Sequence, residues 1–187
     1  METCVRCLKR GSYGHPSMAI DFTHPESPEE RISRIFLGRP VEISSKEDWG
    51  YNCVAWAAGC SHVFWTHERG FGTYAFWPVG VPRGETLGHL VTLYESLGFT
   101  LCADGTVETQ IDKIALFEQD GVWAHACKLC EDGRWWSKID YFEDVKHTIE
   151  DAVAVYGTQP VFMKRAASSH ENDAPASRSQ CVCQVRT

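Results

Sequence analysis

The chain has 187 residues, 43% of them hydrophobic and 12% aromatic, which is enough apolar side chain for one domain with its own core. Eighteen Lys and Arg stand against 25 Asp and Glu, a net charge of −7, and no basic cluster stands out. That balance argues against nucleic acid or an anionic membrane surface as the partner. Met1 to Arg10 lacks the apolar core of a signal peptide, and no stretch approaches the ~18 apolar residues of a membrane span. The expected location is therefore cytoplasmic, with export by a non-classical route left open, and most of the nine cysteines are expected to be free thiols.

In chain order, residues 1–26 are polar and broken by Gly11, Gly14, Pro16 and Pro25, and read as a loosely ordered tail. Residues 166–187, rich in Ala, Ser, Asn, Asp and Arg, read the same way, which leaves a single domain over 27–165. Ser27-Pro28-Glu29-Glu30 is a helix start, with Ser27 as cap and Glu30 closing a capping box; Gly38 stops that helix, and Ile32, Ile35 and Phe36 form its buried face.

Asn52-Cys53 opens the short apolar run Val54 to Gly59, which places a thiol where a helix begins. There the unpaired N–H groups and the positive end of the helix dipole favour thiolate over thiol. Residues 60–85 carry Gly70, Gly72, Pro78, Gly80, Pro82 and Gly84 among many aromatics, so a long ordered loop is expected, a candidate cleft wall with aromatic residues at 64, 65, 76 and 77. Leu87, Leu90, Val91, Tyr94 and Leu97 follow helical spacing, and Gly98-Phe99 resembles a left-handed cap with its apolar follower. Strands are expected over 113–118, 122–131, 134–140 and 159–164, with a short helix between Phe142 and Val155. Helices first and an antiparallel sheet afterwards make an α+β fold.

His125 lies in the apolar, strand-like segment Val122 to Ala126, so a cysteine and a base could meet in the fold, an order that suggests nucleophilic catalysis. Asp132-Gly133 signals a two-residue hairpin turn, with Glu131 opposite Arg134. The pairs then run Leu129 with Trp136, Cys127 with Lys138 and His125 with Asp140. Asp140 would hold the second ring nitrogen of His125 and stabilise its imidazolium. A three-residue loop would instead set His125 against Tyr141 and turn Asp140 to the other face.

These residues resemble the papain-like superfamily, NlpC-type peptidases especially, in which a cysteine opens a helix and a histidine follows on a strand of an antiparallel sheet. The stretches N-C-V-A-W-A-A-G at 52–59, K-I-A-L at 113–116, H-A at 125–126, D-G-R-W at 132–135, S-K at 137–138 and E-D-V-K-H at 143–147 are similar to an uncharacterised bacterial domain family, over roughly residues 45–165. The resemblance implies a papain-like fold and a Cys-His hydrolase or acyl transferase, with Cys53 as nucleophile and His125 as general base. Third members vary among such sites: Asp140 fits by hairpin register, Ser137 by nearness and His147 by its distance downstream. Glu47 stands six residues before Cys53, where a papain carries a glutamine of the oxyanion hole; the Cys53 N–H and the Asn52 side chain are local substitutes, although Asn52 also suits a helix cap.

The expected function is a thiol-dependent hydrolase or acyl transferase acting on an amide, ester or thioester of a peptide, protein or small molecule, with deamidation using the same parts. Its rival is a non-catalytic interaction module with the same fold. A four-thiolate zinc site from Cys4, Cys7, Cys127 and Cys130 comes third, because positions 127 and 130 of one strand face opposite sides. Cys127 reads as core or cleft lining, and His62 and His67 as loop-packing residues. With no phosphate loop, G-x-S-x-G elbow or H-E-x-x-H motif, neither a metal nor a cofactor is expected.

Overall fold

Ser27 caps the first helix as the sequence foretells: its hydroxyl accepts the Glu30 N–H while the Glu30 carboxylate accepts the Ser27 N–H, at the start of α1, Pro28–Ile35. The chain leaves α1 through Leu37 and Gly38, both at positive φ, and buries Ile32 and Phe36. The computed structural model describes residues 26–69 and 75–167. Apart from Glu26, Ala166 and Ala167, the two expected tails lie outside those residues, as do the Cys4-Cys7 pair, Gly70 and Gly72.

The fold is α+β, with a mostly antiparallel sheet and few helices. After α1 come β1 (Glu42–Ile43), α2 (Cys53–Ala57), β2 (Phe64–Trp65), β3 (Ala75–Phe76), α3 (Leu87–Glu95), β4 (Thr100–Cys102), β5 (Ile111–Gln119), β6 (Val122–Leu129), β7 (Trp135–Lys138), β8 (Asp144–His147), α4 (Ile149–Tyr156) and β9 (Val161–Ala166). Seven strands form one sheet in the order β1-β8-β7-β6-β5-β9-β4, and the described part of the expected long loop carries the small parallel pair β2-β3. Strands β1, β4 and β8 were not expected: each has two to four residues, too few for alternation to show. The helix expected after Phe142 starts only at Ile149, because β8 comes first.

Strand alternation sorts the core onto two faces. Ile114, Leu116, Ala126 and Met163 pack with α2 and α3, whereas Ala115, Phe117, Cys127 and Trp135 pack with α4. A bulge between Phe117 and Glu118 pairs His125 with Phe117 and Trp123 with Glu118, so Trp123 crosses to the α2 face while His125 stays with α4. No described helix is long and apolar enough to cross a membrane.

The Asp-Gly dipeptides at 120–121 and 132–133 make different turns. Asp120 and Gly121 both have positive φ and close the two-residue β5-β6 hairpin, with Gln119 paired to Val122. At Asp132-Gly133 only Gly133 is left-handed; the loop is Glu131 to Gly133, closed by Cys130 N–H to Arg134 O at 2.8 Å. Lys128 therefore pairs with Trp136 and Leu129 with Trp135, one residue off the expected register. The expected pairing of His125 with Asp140 is corrected accordingly, as is the alternative with Tyr141, since each one-residue slip exchanges the two faces.

Candidate active site

Asn52 sets the position of Cys53. Its side-chain oxygen accepts the Ala55 N–H and the Trp65 N–H, each at 3.2 Å, and its amide nitrogen donates to Trp65 O at 2.7 Å. One buried side chain thus caps α2 and clamps it to β2, the capping role weighed against an oxyanion role. Glu47 is exposed.

Cys53 is the first residue of α2 and is 9% exposed. Burial pushes its thiol up to about 12; the Ala126 N–H is the largest opposing influence, the Asp140 charge raises it further, and the N–H groups of Val54 and Cys53 itself lower it. The helix start expected to favour thiolate is thus outweighed by loss of solvent, and α2, only five residues long, has little dipole to offer. Of the three backbone N–H groups that lower it, the most influential belongs to the residue after His125.

Three further candidates meet in a row on adjacent strands. Ser137 Oγ lies 2.8 Å from His125 Nε2 and 2.7 Å from His147 Nε2, and His147 Nδ1 lies 2.7 Å from the Thr148 carbonyl. The observed register explains this: Ser137 pairs with Val145 and Trp135 with His147, so His147 is diagonal to Ser137, as His125 is on the other side. All three are buried, and Tyr156 of α4 stacks on the His125 ring at 4.5 Å and 8°.

Hydrogen-bond bookkeeping fixes the protons in this row. Burial lowers the His147 pKa, keeping it neutral, and its Nδ1 must hold the proton because the Thr148 carbonyl can only accept. Its Nε2 is then an acceptor, so Ser137 donates its single O–H there and accepts from His125 Nε2–H. A neutral His125 in this tautomer carries its lone pair on Nδ1, the nitrogen a general base needs.

Asp140 is placed elsewhere, in the β7-β8 turn with φ 47°, where Ile139 N–H bonds to Glu143 O. The residue is exposed, yet the bulk packed around its carboxyl raises its pKa to about 6, against the opposing charge of Lys138. The structure thus brings together His125, Ser137 and His147 on the α4 face and sets Cys53 among the α2-face residues at Ala126; Asp140 acts electrostatically on the thiol. Sequence reasoning missed the Ala126 N–H and the Tyr156 stack, neither of which has a local signal.

A buried polar group borders the thiol side of the sheet. Lys138 is bonded to Phe142 O, lies 3.7 Å from Asp144 Oδ1 and 4.5 Å over the Tyr51 ring, while Tyr51 donates to Asp144 Oδ2 at 2.7 Å. Cys127 is fully buried, its sulfur 3.9 Å from Ala115 O, and burial raises its pKa well above the usual thiol range. Trp65 and Trp77 of the expected cleft wall are core residues, and His67 packs edge-on against Trp77 and Trp123. Among the described residues no three Cys, His, Asp or Glu gather as metal ligands.

No curated protein and no solved structure matches the chain. The model of a domain of unknown function, DUF7689, matches residues 42–164, a span that runs from β1 to β9 and contains every candidate site residue. The chain belongs to that family.

Proposed function

We propose that this domain, read as a papain-like fold, is a thiol-dependent hydrolase or acyl transferase with Cys53 as nucleophile and His125 as general base. The observation that supports it most is the buried His125–Ser137–His147 row, which fixes the tautomer of a histidine one residue before Ala126, whose N–H together with those of Val54 and Cys53 lowers the pKa of the Cys53 thiol. With the resting thiol neutral, the proton leaves during attack: Sγ joins the carbonyl carbon and the proton passes to His125 Nδ1. The same N–H groups are the donors for the tetrahedral oxyanion. Collapse expels the amine, alcohol or thiol, which takes that proton, and water or a second nucleophile then cleaves the acyl-cysteine and restores the thiol. Ser137 and His147 are positioning residues in this scheme, and Asp140 tunes the thiol rather than orienting the imidazole.

A second reading is favoured by the burial of Cys53 and the face on which His125 sits: the same domain as a non-catalytic interaction module. Iodoacetamide labelling at pH 7.5, mapped by peptide mass, separates the two. Catalysis predicts that His125→Ala or Ser137→Ala slows labelling of Cys53 by about tenfold or more, through loss of the base that takes its proton, while leaving the half-buried Cys102 and Cys130 unchanged. A Cys53 labelling rate that is the same in all three proteins sinks the catalytic reading.

A further inference from the structure

Trp49 is the one exposed aromatic side chain among the described residues, at 67%, whereas every other described Trp, Tyr and Phe is buried or half-buried. Leaving an indole in water forgoes much of its burial energy, so the ring invites an explanation. Its surroundings supply one. Trp49 stacks on Tyr141 at 5.0 Å and 21°, and Tyr141 stacks on Phe64 at 5.6 Å and 17°, giving three nearly parallel rings that end in the exposed indole.

Each ring is tied to the candidate site by its own segment. Trp49 lies three residues before Asn52, Tyr141 follows Asp140, whose charge acts on the Cys53 thiol, and Phe64 precedes Trp65, which Asn52 clamps. The backbone around Trp49 is also fixed: Asp48 N–H bonds to Phe142 O at 3.4 Å and Gly50 N–H to Asp48 Oδ1 at 2.7 Å. The ladder is built before any ligand arrives, which lowers the ordering cost of binding.

We propose that the Trp49–Tyr141–Phe64 ladder is a specificity platform that receives a planar aromatic group of the substrate's acyl part as a fourth ring. The proposal rests on the catalytic reading of Cys53 for what happens to the bound acyl group, but the platform itself is a matter of binding. Offset stacking on an aromatic face distinguishes a flat ring from a saturated one of similar apolar area. The same ring could come from a small aromatic acid derivative or from an aromatic residue of a peptide.

The test uses the full-length Cys53→Ala protein, titrated with phenylacetamide, cyclohexylacetamide and N-acetylphenylalaninamide and followed by proton NMR of the ligands. Phenylacetamide is expected to bind saturably with its ring protons shifted upfield by the stacked rings, and more tightly than cyclohexylacetamide. Adding Trp49→Ala should weaken it about three- to tenfold, and Trp49→Phe should restore most of the loss. N-acetylphenylalaninamide binding more tightly than phenylacetamide assigns the ring to a peptide; the reverse assigns it to a small acid derivative. Equal affinity for flat and saturated rings, or an affinity indifferent to Trp49→Ala, overturns the platform. A separate arm follows hydrolysis of S-ethyl phenylthioacetate by the wild-type chain: ring binding without turnover upholds the platform and counts against Cys53 as nucleophile.

Discussion

Ser137 carries more of the candidate site than its size suggests. Its one hydroxyl donates to His147 and accepts from His125, so removing it leaves two buried ring nitrogens without their partner and frees the His125 tautomer. On the proposed catalytic reading, Ser137→Ala is expected to reduce turnover of a thioester about tenfold or more through kcat, with KM nearly unchanged, because the hydroxyl does not touch substrate. Ser137→Thr keeps the O–H and is expected to retain more activity than the alanine variant; steady-state kinetics on the three proteins checks both. His147→Ala should resemble Ser137→Ala, whereas Asp140→Asn should not, since the carboxylate that the sequence offered as orienter lies outside this row. An Asp140→Asn variant as impaired as Ser137→Ala would show that the carboxylate takes part directly.

Among the elements, the helix starts show how much of the architecture is local. Thr148 caps α4 with a full box: its hydroxyl accepts the Asp151 N–H at 3.2 Å while the Asp151 carboxylate accepts the Thr148 N–H at 3.0 Å. Thr86 stands at the same position of α3 but makes no capping bond with its side chain, whose oxygen is 2.7 Å from His89 Nδ1. Thr148→Ala is therefore expected to cost about 1 kcal/mol of unfolding free energy in urea titration, and Thr86→Ala appreciably less. Loosening α4 also bears on the site, because its last residue, Tyr156, stacks on His125. The hairpins teach the opposite lesson. Two Asp-Gly pairs close two turns, yet in the second Asp132 binds the Arg134 N–H at 3.0 Å and its guanidinium at 2.8 Å, while Arg134 reaches Glu42 of β1 at 2.6 Å.

For the molecule as a whole, two ionisable groups with shifted pKa values make stability depend on pH in opposing ways. The folded pKa of Asp140 is raised to about 6 from an ordinary 3.8, so between those values the folded chain binds more protons than the unfolded one, and stability falls as pH rises. His147 has a folded pKa below its ordinary 6.5; as pH falls past 6.5 the unfolded chain takes up a proton that the folded chain resists, and stability falls with acidification. The two slopes oppose each other in mildly acidic solution. Asp140→Asn removes the first, so the variant's stability relative to wild type should be near zero difference below pH 4, grow between pH 4 and 6, and stay constant at a gain above pH 7. Urea midpoints at pH 4, 6 and 8 measure this; a gain already complete at pH 4 would trace it to the φ of 47° at this position instead.

What the sequence alone determined is what short-range chemistry decides: the Ser27 box, the Asn52 cap that puts Cys53 at a helix start, the α3 spacing with its Gly98 stop, and the α+β class. Each depends on residues within one or two turns of each other, where capping bonds and apolar periodicity act without help from the rest of the chain. The tertiary structure alone decided which face His125 occupies, which third residue reaches it and how charged Cys53 is. A one-residue choice in the Glu131-Asp132-Gly133 loop, coupled to the placement of Trp135 under α4 and Trp136 against Trp56 of α2, exchanges Asp140 for Ser137. Burial, a property of packing rather than of any motif, then overrides the helix start that would otherwise have favoured the thiolate.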